Sequence, residues 1–139
     1  MRITTVAAAA AVLALPLAGL GCDNPPQTLG PENAVTVTNL SGHFQLTVQD
    51  MQNISTVMTF RWQNPGIYAA IDHQSFTPHG TTLLIVTDAD GKEVYRGKTL
   101  YQLEDRTLDG TPGTWTVQFS LDQSVGNIDV TLDAAWPPD

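Results

Sequence analysis

Apolar and polar residues alternate with a period of two along four stretches of this chain. The alternation is unbroken over 43–49 and returns at 57–63, 115–121 and 128–133. A period of two places every second side chain on the same face of a strand, so each stretch predicts a strand with one buried face. The side chains predicted to point inward are Phe44, Leu46, Val48, Met58, Phe60, Trp62, Trp115, Val117, Phe119, Leu121, Ile128, Val130 and Leu132.

Four further strands are predicted from weaker signals. Residues 83–86 are all apolar, which is typical of a central strand covered on both sides. Shorter strands are predicted at 34–39, 67–73 and 92–96, and Asp-Gly at 90–91 is a hairpin signal. Turns rich in glycine, proline and aspartate are predicted at 64–66, 78–80, 88–91 and 110–113. The sequence therefore predicts an all-β fold, an antiparallel β-sandwich of about eight strands with jelly-roll or immunoglobulin-like topology.

The N-terminal segment has the pattern of a secretion signal. Arg2 gives it a positive start, residues 3–20 are mostly apolar, and small residues precede Cys22. A positive start, an apolar middle and small residues at the exit are the parts of a signal peptide. The sequence therefore predicts a signal peptide at 1–21 and an exported mature protein.

Cys22 is the only cysteine of the chain, and a lone cysteine in an exported protein forms no internal disulfide. The segment Gly19-Leu20-Gly21-Cys22 resembles a bacterial lipoprotein signal, in which the cysteine is lipidated and becomes the mature N-terminus. The resemblance implies lipid attachment at Cys22 and a membrane-anchored protein that faces the periplasm or the cell exterior. Gly19 stands where that signal usually has leucine, and ordinary cleavage at the same bond is the alternative.

The mature chain is predicted to have three parts. Residues 22–33 lack periodicity and contain three prolines, so we expect a flexible tether there. The β-sandwich domain is expected at 34–135, and a short tail at 136–139.

The charge balance excludes two classes of partner. The chain has 6 basic and 14 acidic residues, which gives a formal net charge of −8. Nucleic acids and anionic lipid surfaces both bind through clusters of Lys and Arg, and the sequence has no such cluster. We therefore expect no nucleic-acid partner, and membrane contact only through the N-terminal lipid.

One acidic turn is a weak candidate for a calcium site. Asp88, Asp90 and Gly91 resemble the start of a calcium-binding loop, which supplies oxygen ligands at alternate positions before a glycine turn. The later acidic ligands of such a loop are missing, because Lys92 and a predicted strand follow. A hairpin turn is the favoured interpretation.

The histidines and serines of the chain form no known motif for metal binding or hydrolysis. The three histidines, His43, His73 and His79, match no metal-ligand spacing. No serine lies in a Gly-x-Ser-x-Gly segment. We therefore expect no enzyme activity, no cofactor and no metal site.

Trp136 is the aromatic residue without a predicted core position, since Trp62 and Trp115 are in phase with the apolar faces of their strands. It is a candidate for a contact surface, and capping of the end of the sandwich is the alternative.

Two stretches, 80–95 and the pair of segments 113–119 and 126–132, carry a resemblance to known families. They are similar to uncharacterised bacterial lipoproteins whose mature part is one β-sandwich. More distantly, they resemble the bacterial pre-peptidase C-terminal domain, an accessory module of secreted enzymes. The resemblance implies the fold and the extracytoplasmic setting, and it implies no catalytic residue.

The function expected from these observations is a non-enzymatic binding or structural role at the cell envelope. The partner would be an envelope protein or a polysaccharide. The alternatives are a carbohydrate-binding or adhesion module, which needs exposed aromatic side chains, and a small secreted enzyme.

Overall fold

Two long strands organise residues 27–137, the part of the chain that the computed structural model describes. The predicted signal peptide, Cys22, the first part of the predicted tether and the last two residues lie outside the described residues. The seven strands are β1 (Thr36–Leu40), β2 (His43–Asn64), β3 (Tyr68–His73), β4 (Phe76–Thr87), β5 (Glu93–Lys98), β6 (Leu103–Arg106) and β7 (Gly113–Ala135). Among the described residues, no helix has the length and apolar character needed to cross a membrane.

The strands β2 and β7 pair antiparallel along their whole length, and each takes part in two layers of the sandwich. The first half of β2 pairs with the second half of β7, and β1, β3 and β6 extend this first layer in the order β1-β2-β7-β3-β6. The second half of β2 pairs with the first half of β7, and β4 and β5 extend this second layer. Every pairing between these strands is antiparallel, which confirms the predicted all-β antiparallel sandwich.

Bulges allow β2 and β7 to change layers. The register of the β2–β7 pair shifts three times between Val48 and Thr56. Asp50 and Asn53 of this bend have positive φ angles, and Gln123 of β7 has one opposite them. An extra residue in one strand bends it and increases its twist, which is how a strand leaves one sheet and joins another.

The core lies between the two layers and consists of the side chains that the alternation predicts to be inside. The ring of Phe44 in the first layer contacts Phe60 and Phe119 of the second layer, with ring centroids 5.3 and 6.5 Å apart. Trp62 and Trp115 are cross-strand partners and pack edge to face at 6.1 Å. Of the thirteen side chains predicted inside, only Met58 and Phe60 are partly exposed.

The strand count differs from the prediction for a physical reason. The predicted strands at 43–49 and 57–63 are two halves of β2, and those at 115–121 and 128–133 are two halves of β7. The bends between the halves break the alternation without ending the hydrogen-bonded ladder. The turn expected at 78–80 is wrong, because these residues lie inside β4 opposite the bend of β7.

Contacts with the domain begin before residue 34, within the predicted tether. Gln27 forms a backbone bridge with Ile54, and a short 3-10 helix spans Pro31–Asn33. The buried Asn33 side chain donates to the carbonyl oxygens of Gln49 and Asp50 at 2.9 and 3.1 Å. Residues 27–33 are therefore attached to the bend of β2.

Candidate functional site

Two connections between the layers meet at one side of the sandwich. Residues 73–77 lead from β3 to β4, and residues 99–103 lead from β5 to β6. We call these two segments together the crossover strip. They run side by side in opposite directions, joined by the pairing of His73 with Leu103, a 2.9 Å hydrogen bond from Gln102 Nε2 to Gln74 Oε1, and a 3.0 Å hydrogen bond from Thr77 N to Leu100 O.

The polarity of the crossover strip is inverted. Four of its outward side chains are large and apolar, two of these are aromatic, and the other two outward side chains are the amides of Gln74 and Gln102. Phe76 is 61 % exposed and Tyr101 63 % exposed. The two leucines beside them, Leu100 and Leu103, are exposed as well. The buried positions of the same segments are polar: His73, Ser75, Thr77 and Thr99.

Hydrogen bonds to the backbone explain the buried hydroxyl groups of Ser75 and Thr77, whereas the buried Thr99 Oγ1 has no hydrogen-bond partner among the described residues. Ser75 Oγ accepts from the N–H of Asp129 at 3.0 Å and donates to its carbonyl oxygen at 3.3 Å. Thr77 Oγ1 donates to the carbonyl oxygen of Thr99. At the neighbouring bend, Ser124 Oγ donates to the carbonyl oxygen of Thr81 at 2.8 Å. The carbonyl oxygen of Asp129 also accepts from the N–H of Gln74 at 2.8 Å, so Ser75 adds a second donor there and an acceptor for the N–H. Buried backbone groups need such partners, because leaving them unpaired is unfavourable.

A hydrogen-bonded series of three side chains joins the layers beneath the strip. Tyr95 Oη on β5 donates to Asp105 Oδ2 on β6 at 2.9 Å and lies 3.2 Å from His73 Nε2 on β3. Since the phenol proton goes to Asp105, Nε2 of His73 carries the proton that Tyr95 accepts. Nδ1 of His73 is buried and has no hydrogen-bond partner among the described residues.

The pKa shifts of His73 and Tyr95 favour the neutral forms of both side chains. Burial lowers the pKa of His73, against the opposing effects of Asp105 and Asp72. Burial, together with the hydrogen bond and the negative charge of Asp105, raises the pKa of Tyr95 well above its ordinary value of 10.0. An uncharged imidazole and an uncharged phenol can be buried at much lower cost than ions. The series therefore acts as a polar link between the layers.

A groove of about 420 Å³ borders the crossover strip on the outer side of the first layer. Gln74 belongs to the crossover strip and also lines the groove. Phe76 of the strip pairs with Asn127, which lines the groove as well. Directly paired residues share a face of the sheet, so the exposed ring of Phe76 lies beside the groove. The groove is lined by Thr47, Val48, Gln49, Asp50, Gln74, Asn127, Ile128 and Asp129.

A wider cleft of about 610 Å³ lies between the ends of β5 and β6, and its charged groups are already paired. Arg106 bonds Asp109 at 3.0 Å and lies over the ring of Tyr68 at 3.6 Å. Lys92 Nζ donates to the carbonyl oxygen of Asp109 at 3.3 Å. These contacts hold the loop after β6 in place.

The candidate calcium residues form a hairpin between β4 and β5. The carboxylate of Asp88 accepts hydrogen bonds from the backbone N–H groups of Asp90, Lys92 and Thr111, at 3.0, 2.9 and 2.9 Å. Burial raises the pKa of Asp88, but these donors lower it more, so its pKa lies below the ordinary value. Asp90 accepts from Thr111 Oγ1 at 2.6 Å. Both carboxylates thus join the hairpin to the loop before β7.

The three histidines lie in different environments. His43 bonds Asp133 at 2.6 Å on the outer face of the first layer, His73 is buried, and His79 is exposed on β4. Within residues 27–137, no group of three or more His, Cys, Asp or Glu side chains is arranged to hold a metal ion.

Trp136 follows the end of β7 and is 57 % exposed. Its neighbour Ala135 pairs with Tyr68, at the start of β3, whereas the crossover strip begins at the other end of β3. Trp136 and Phe76 are therefore separate exposed aromatics. Cys22 lies outside the described residues.

Sequence reasoning missed the crossover strip. In Ser75-Phe76-Thr77 a large apolar residue stands between two small polar ones, and this pattern is compatible with either face inward. The absence of strict alternation over 99–103 was the only signal that these residues do not form an ordinary half-buried strand.

No protein-family model and no curated protein matches the sequence. Among solved structures, the chain is similar to TmCBM61 in complex with beta-1,4-galactotriose, with 18 % identity, a TM-score of 0.42, and coverage of 77 % of this chain and 83 % of that one. It is also similar to procruciferin, an 11S globulin from Brassica napus, with 14 % identity, a TM-score of 0.37, and coverage of 76 % and 27 %. A glycoside hydrolase family 43 arabinoxylan arabinofuranohydrolase from Bacillus subtilis, in complex with cellotetraose, has 14 % identity, a TM-score of 0.35, and coverage of 78 % and 23 %. With TM-scores below 0.5, these likenesses carry no argument about function, and the fold rests on the strand order described above.

Proposed function

We propose that this chain is an exported, non-enzymatic binding module that contacts a macromolecule of the cell envelope through the crossover strip. The inverted polarity of the strip is the observation that carries the proposal. Phe76, Leu100, Tyr101 and Leu103 are each exposed on two neighbouring segments whose buried positions are polar. Several large apolar side chains exposed on neighbouring segments are typical of interaction sites on soluble domains.

The strip is held rigidly for such a contact. Ser75 and Thr77 bond to backbone groups beneath it, and Gln74 and Gln102 bond to each other on its surface. A surface that is already in its bound conformation loses less entropy on binding. Phe and Tyr are also enriched at interfaces, because a rigid ring buries a large area.

A binding role is supported by the protonation of the histidine and the tyrosine beneath the strip. His73 is fully buried, and its pKa is shifted away from neutrality rather than towards it. The pKa of Tyr95 is raised, so the phenol is a poor proton acceptor at neutral pH. General acid–base catalysis needs accessible groups with pKa values near the working pH.

Export and anchoring belong to the same proposal and are supported by the sequence. A signal-peptide pattern precedes Cys22, and lipidation there would hold the domain at a membrane surface. Fractionation of cells tests the anchor: wild-type protein should remain with membranes, and Cys22→Ser protein should be released. Membrane retention of the Cys22→Ser protein would contradict lipid attachment.

Binding through the strip is tested with purified full-length Cys22→Ser protein and isolated envelopes of the host, separated by sedimentation. Replacing Phe76, Leu100, Tyr101 and Leu103 together by serine should leave the protein in the supernatant. A matched control replaces Leu40, Val57 and Trp136, which are exposed elsewhere, and should sediment like the unchanged protein. Equal sedimentation of all three proteins would contradict the strip as the contact surface.

A further inference from the structure

We propose that the groove beside the crossover strip binds a neutral polysaccharide, with Phe76 stacking on a sugar ring at its edge. This inference rests on the proposed function and names the ligand class of the same surface. The groove of about 420 Å³ lies within the range of roughly 300–1,000 Å³ that is usual for ligand sites.

The groove and Phe76 form one surface. Phe76 on β4 is paired with Asn127 on β7, and Gly126 beside it allows the two strands to approach closely. A Cβ atom on Gly126 would come within 2.0 Å of the carbonyl oxygen of Phe76, and the φ angle of Gly126 is 122°. The backbone of Phe76 is therefore held close to β7, which supplies Asn127 to the groove, and Phe76 is 61 % exposed. An aromatic face of this kind is suited to the apolar C–H face of a sugar ring.

The polar side chains of the groove match sugar hydroxyls. Asp129 accepts from Gln45 at 3.0 Å through Oδ1. The exposed carboxylate of Asp50 receives no hydrogen bond or ion pair from the described residues. Carboxylates accept several hydrogen bonds, and the amide of Gln49 can both donate and accept. The amide of Gln74 already donates to Asp72 Oδ1 at 2.8 Å and accepts from Gln102 Nε2 at 2.9 Å, which leaves its second N–H for a ligand. A hydroxyl is itself a donor and an acceptor, so each of these groups finds a partner in a sugar.

The charge of the groove favours a neutral ligand. None of its lining residues is Lys, Arg or His, and two are aspartates. A polymer of uronic acids or phosphates would place like charges together, which is unfavourable. A protein surface would have to supply its own cations opposite Asp50 and Asp129, because burying carboxylates without a compensating charge is strongly unfavourable. Neutral hydroxyl-rich chains avoid both penalties.

The test is electrophoresis of full-length Cys22→Ser protein in native gels that contain a soluble polysaccharide. The neutral probes are xylan, galactan, mannan and β-glucan, and the acidic probes are polygalacturonate and alginate. We expect at least one neutral probe to retard the protein and neither acidic probe to do so. Phe76→Ala should weaken binding about tenfold, and Gln74→Ala about fivefold, which corresponds to the loss of one stacking contact and one hydrogen bond.

Trp136→Ala is the matched control, because Trp136 is an exposed aromatic residue near the other end of β3. The affinity of the Trp136→Ala protein for the polysaccharide should stay within about twofold of that of the unchanged protein. Gln74→Ala keeps the test decisive if Phe76→Ala does not fold. The inference is overturned if no neutral probe retards the protein, if acidic probes retard it equally, or if Trp136→Ala has the larger effect. If sedimentation with envelopes still depends on the strip, the proposed binding function stands and the ligand is of another class. If the protein neither sediments through the strip nor binds a neutral polysaccharide, the proposed function is overturned as well.

Discussion

The first half of β2 and the first segment of the crossover strip, residues 73–77, alternate between buried and exposed positions with opposite chemistry. In β2, Phe44, Leu46 and Val48 are buried and the residues between them are partly exposed. In the strip, Ser75 and Thr77 are buried and Phe76 between them is exposed. Both segments alternate with a period of two, so periodicity alone does not decide which face is inside.

The difference follows from what lies beneath each segment. Below β2 lies the other layer, whose side chains are apolar, and burying apolar surface stabilises the fold by roughly 25 cal/mol per Å². Below the strip lie backbone groups at the places where strands end or bend, such as the N–H and carbonyl of Asp129. Those groups need hydrogen-bond partners more than they need apolar contacts. The four predictions that follow test this contrast.

The largest effect is expected in β2. Phe44 is fully buried, and its ring contacts Phe60 and Phe119 of the opposite layer. Phe44→Ala should lower the free energy of unfolding by ~3–5 kcal/mol, since it removes apolar burial and leaves a cavity. Urea unfolding followed by tryptophan fluorescence measures the change. A loss below about 1 kcal/mol would contradict the central position of this ring.

The second largest effect is expected when a buried polar side chain of the strip is replaced by an apolar one. Ser75→Ala removes the hydroxyl that bonds both backbone groups of Asp129, and it should lower the free energy of unfolding by ~1–3 kcal/mol. Urea unfolding is again the measurement, with Ser41→Ala, an exposed turn position, as the control. An unchanged or higher stability of Ser75→Ala would show that the buried layer of the strip behaves like ordinary core.

The faces of β2 and β7 were predictable because their alternation coincides with burial between the layers. The number of strands was not, since the bends at 49–55 and 122–127 depend on bulges that the sequence pattern does not distinguish from turns. β6 was missed because Leu103–Arg106 has no alternation, and all four residues are exposed. It is a strand only through its backbone pairing with β3.

The candidate site was less predictable than the fold. Ser75 is buried because its hydroxyl meets Asp129, which is 54 residues away in sequence. No local pattern reveals such a distant partner, so Phe76 carries no signal of its exposure. The link from His73 through Tyr95 to Asp105 likewise joins three strands of both layers. Trp62 and Trp115, by contrast, followed the alternation of their own strands and were predicted correctly.

A smaller effect is expected from the buried histidine on acidification. Because the pKa of His73 is lowered from its ordinary value of 6.5, the unfolded chain binds a proton more readily than the folded domain. Its contribution to stability is therefore present above about pH 6.5 and is lost as the pH falls through the folded-state pKa, with a slope of at most ~1.4 kcal/mol per pH unit. The carboxylates of Asp105 and Asp72 act in the opposite sense and reduce the slope.

Unfolding free energies between pH 7.5 and 5.0 measure this slope. His73→Gln should show a weaker dependence on pH than the unchanged protein, because its side chain does not titrate. His79→Gln is the control, since His79 is exposed, and it should keep the original dependence. Equal slopes for the His73→Gln and unchanged proteins would show that His73 does not remain neutral in the folded domain.

The smallest effect on stability is expected at Phe76, and it is the clearest test of the inverted polarity. Phe76→Ser should change the free energy of unfolding by less than ~0.5 kcal/mol, because the ring is already 61 % exposed. The same substitution at Phe44 should be severely destabilising, so two phenylalanines of this β-sandwich would differ several-fold in their contribution. A loss of stability at Phe76 approaching that at Phe44 would mean that the ring packs into the domain in solution. In that case the strip would be part of the core, and Phe76 would not be available to a ligand.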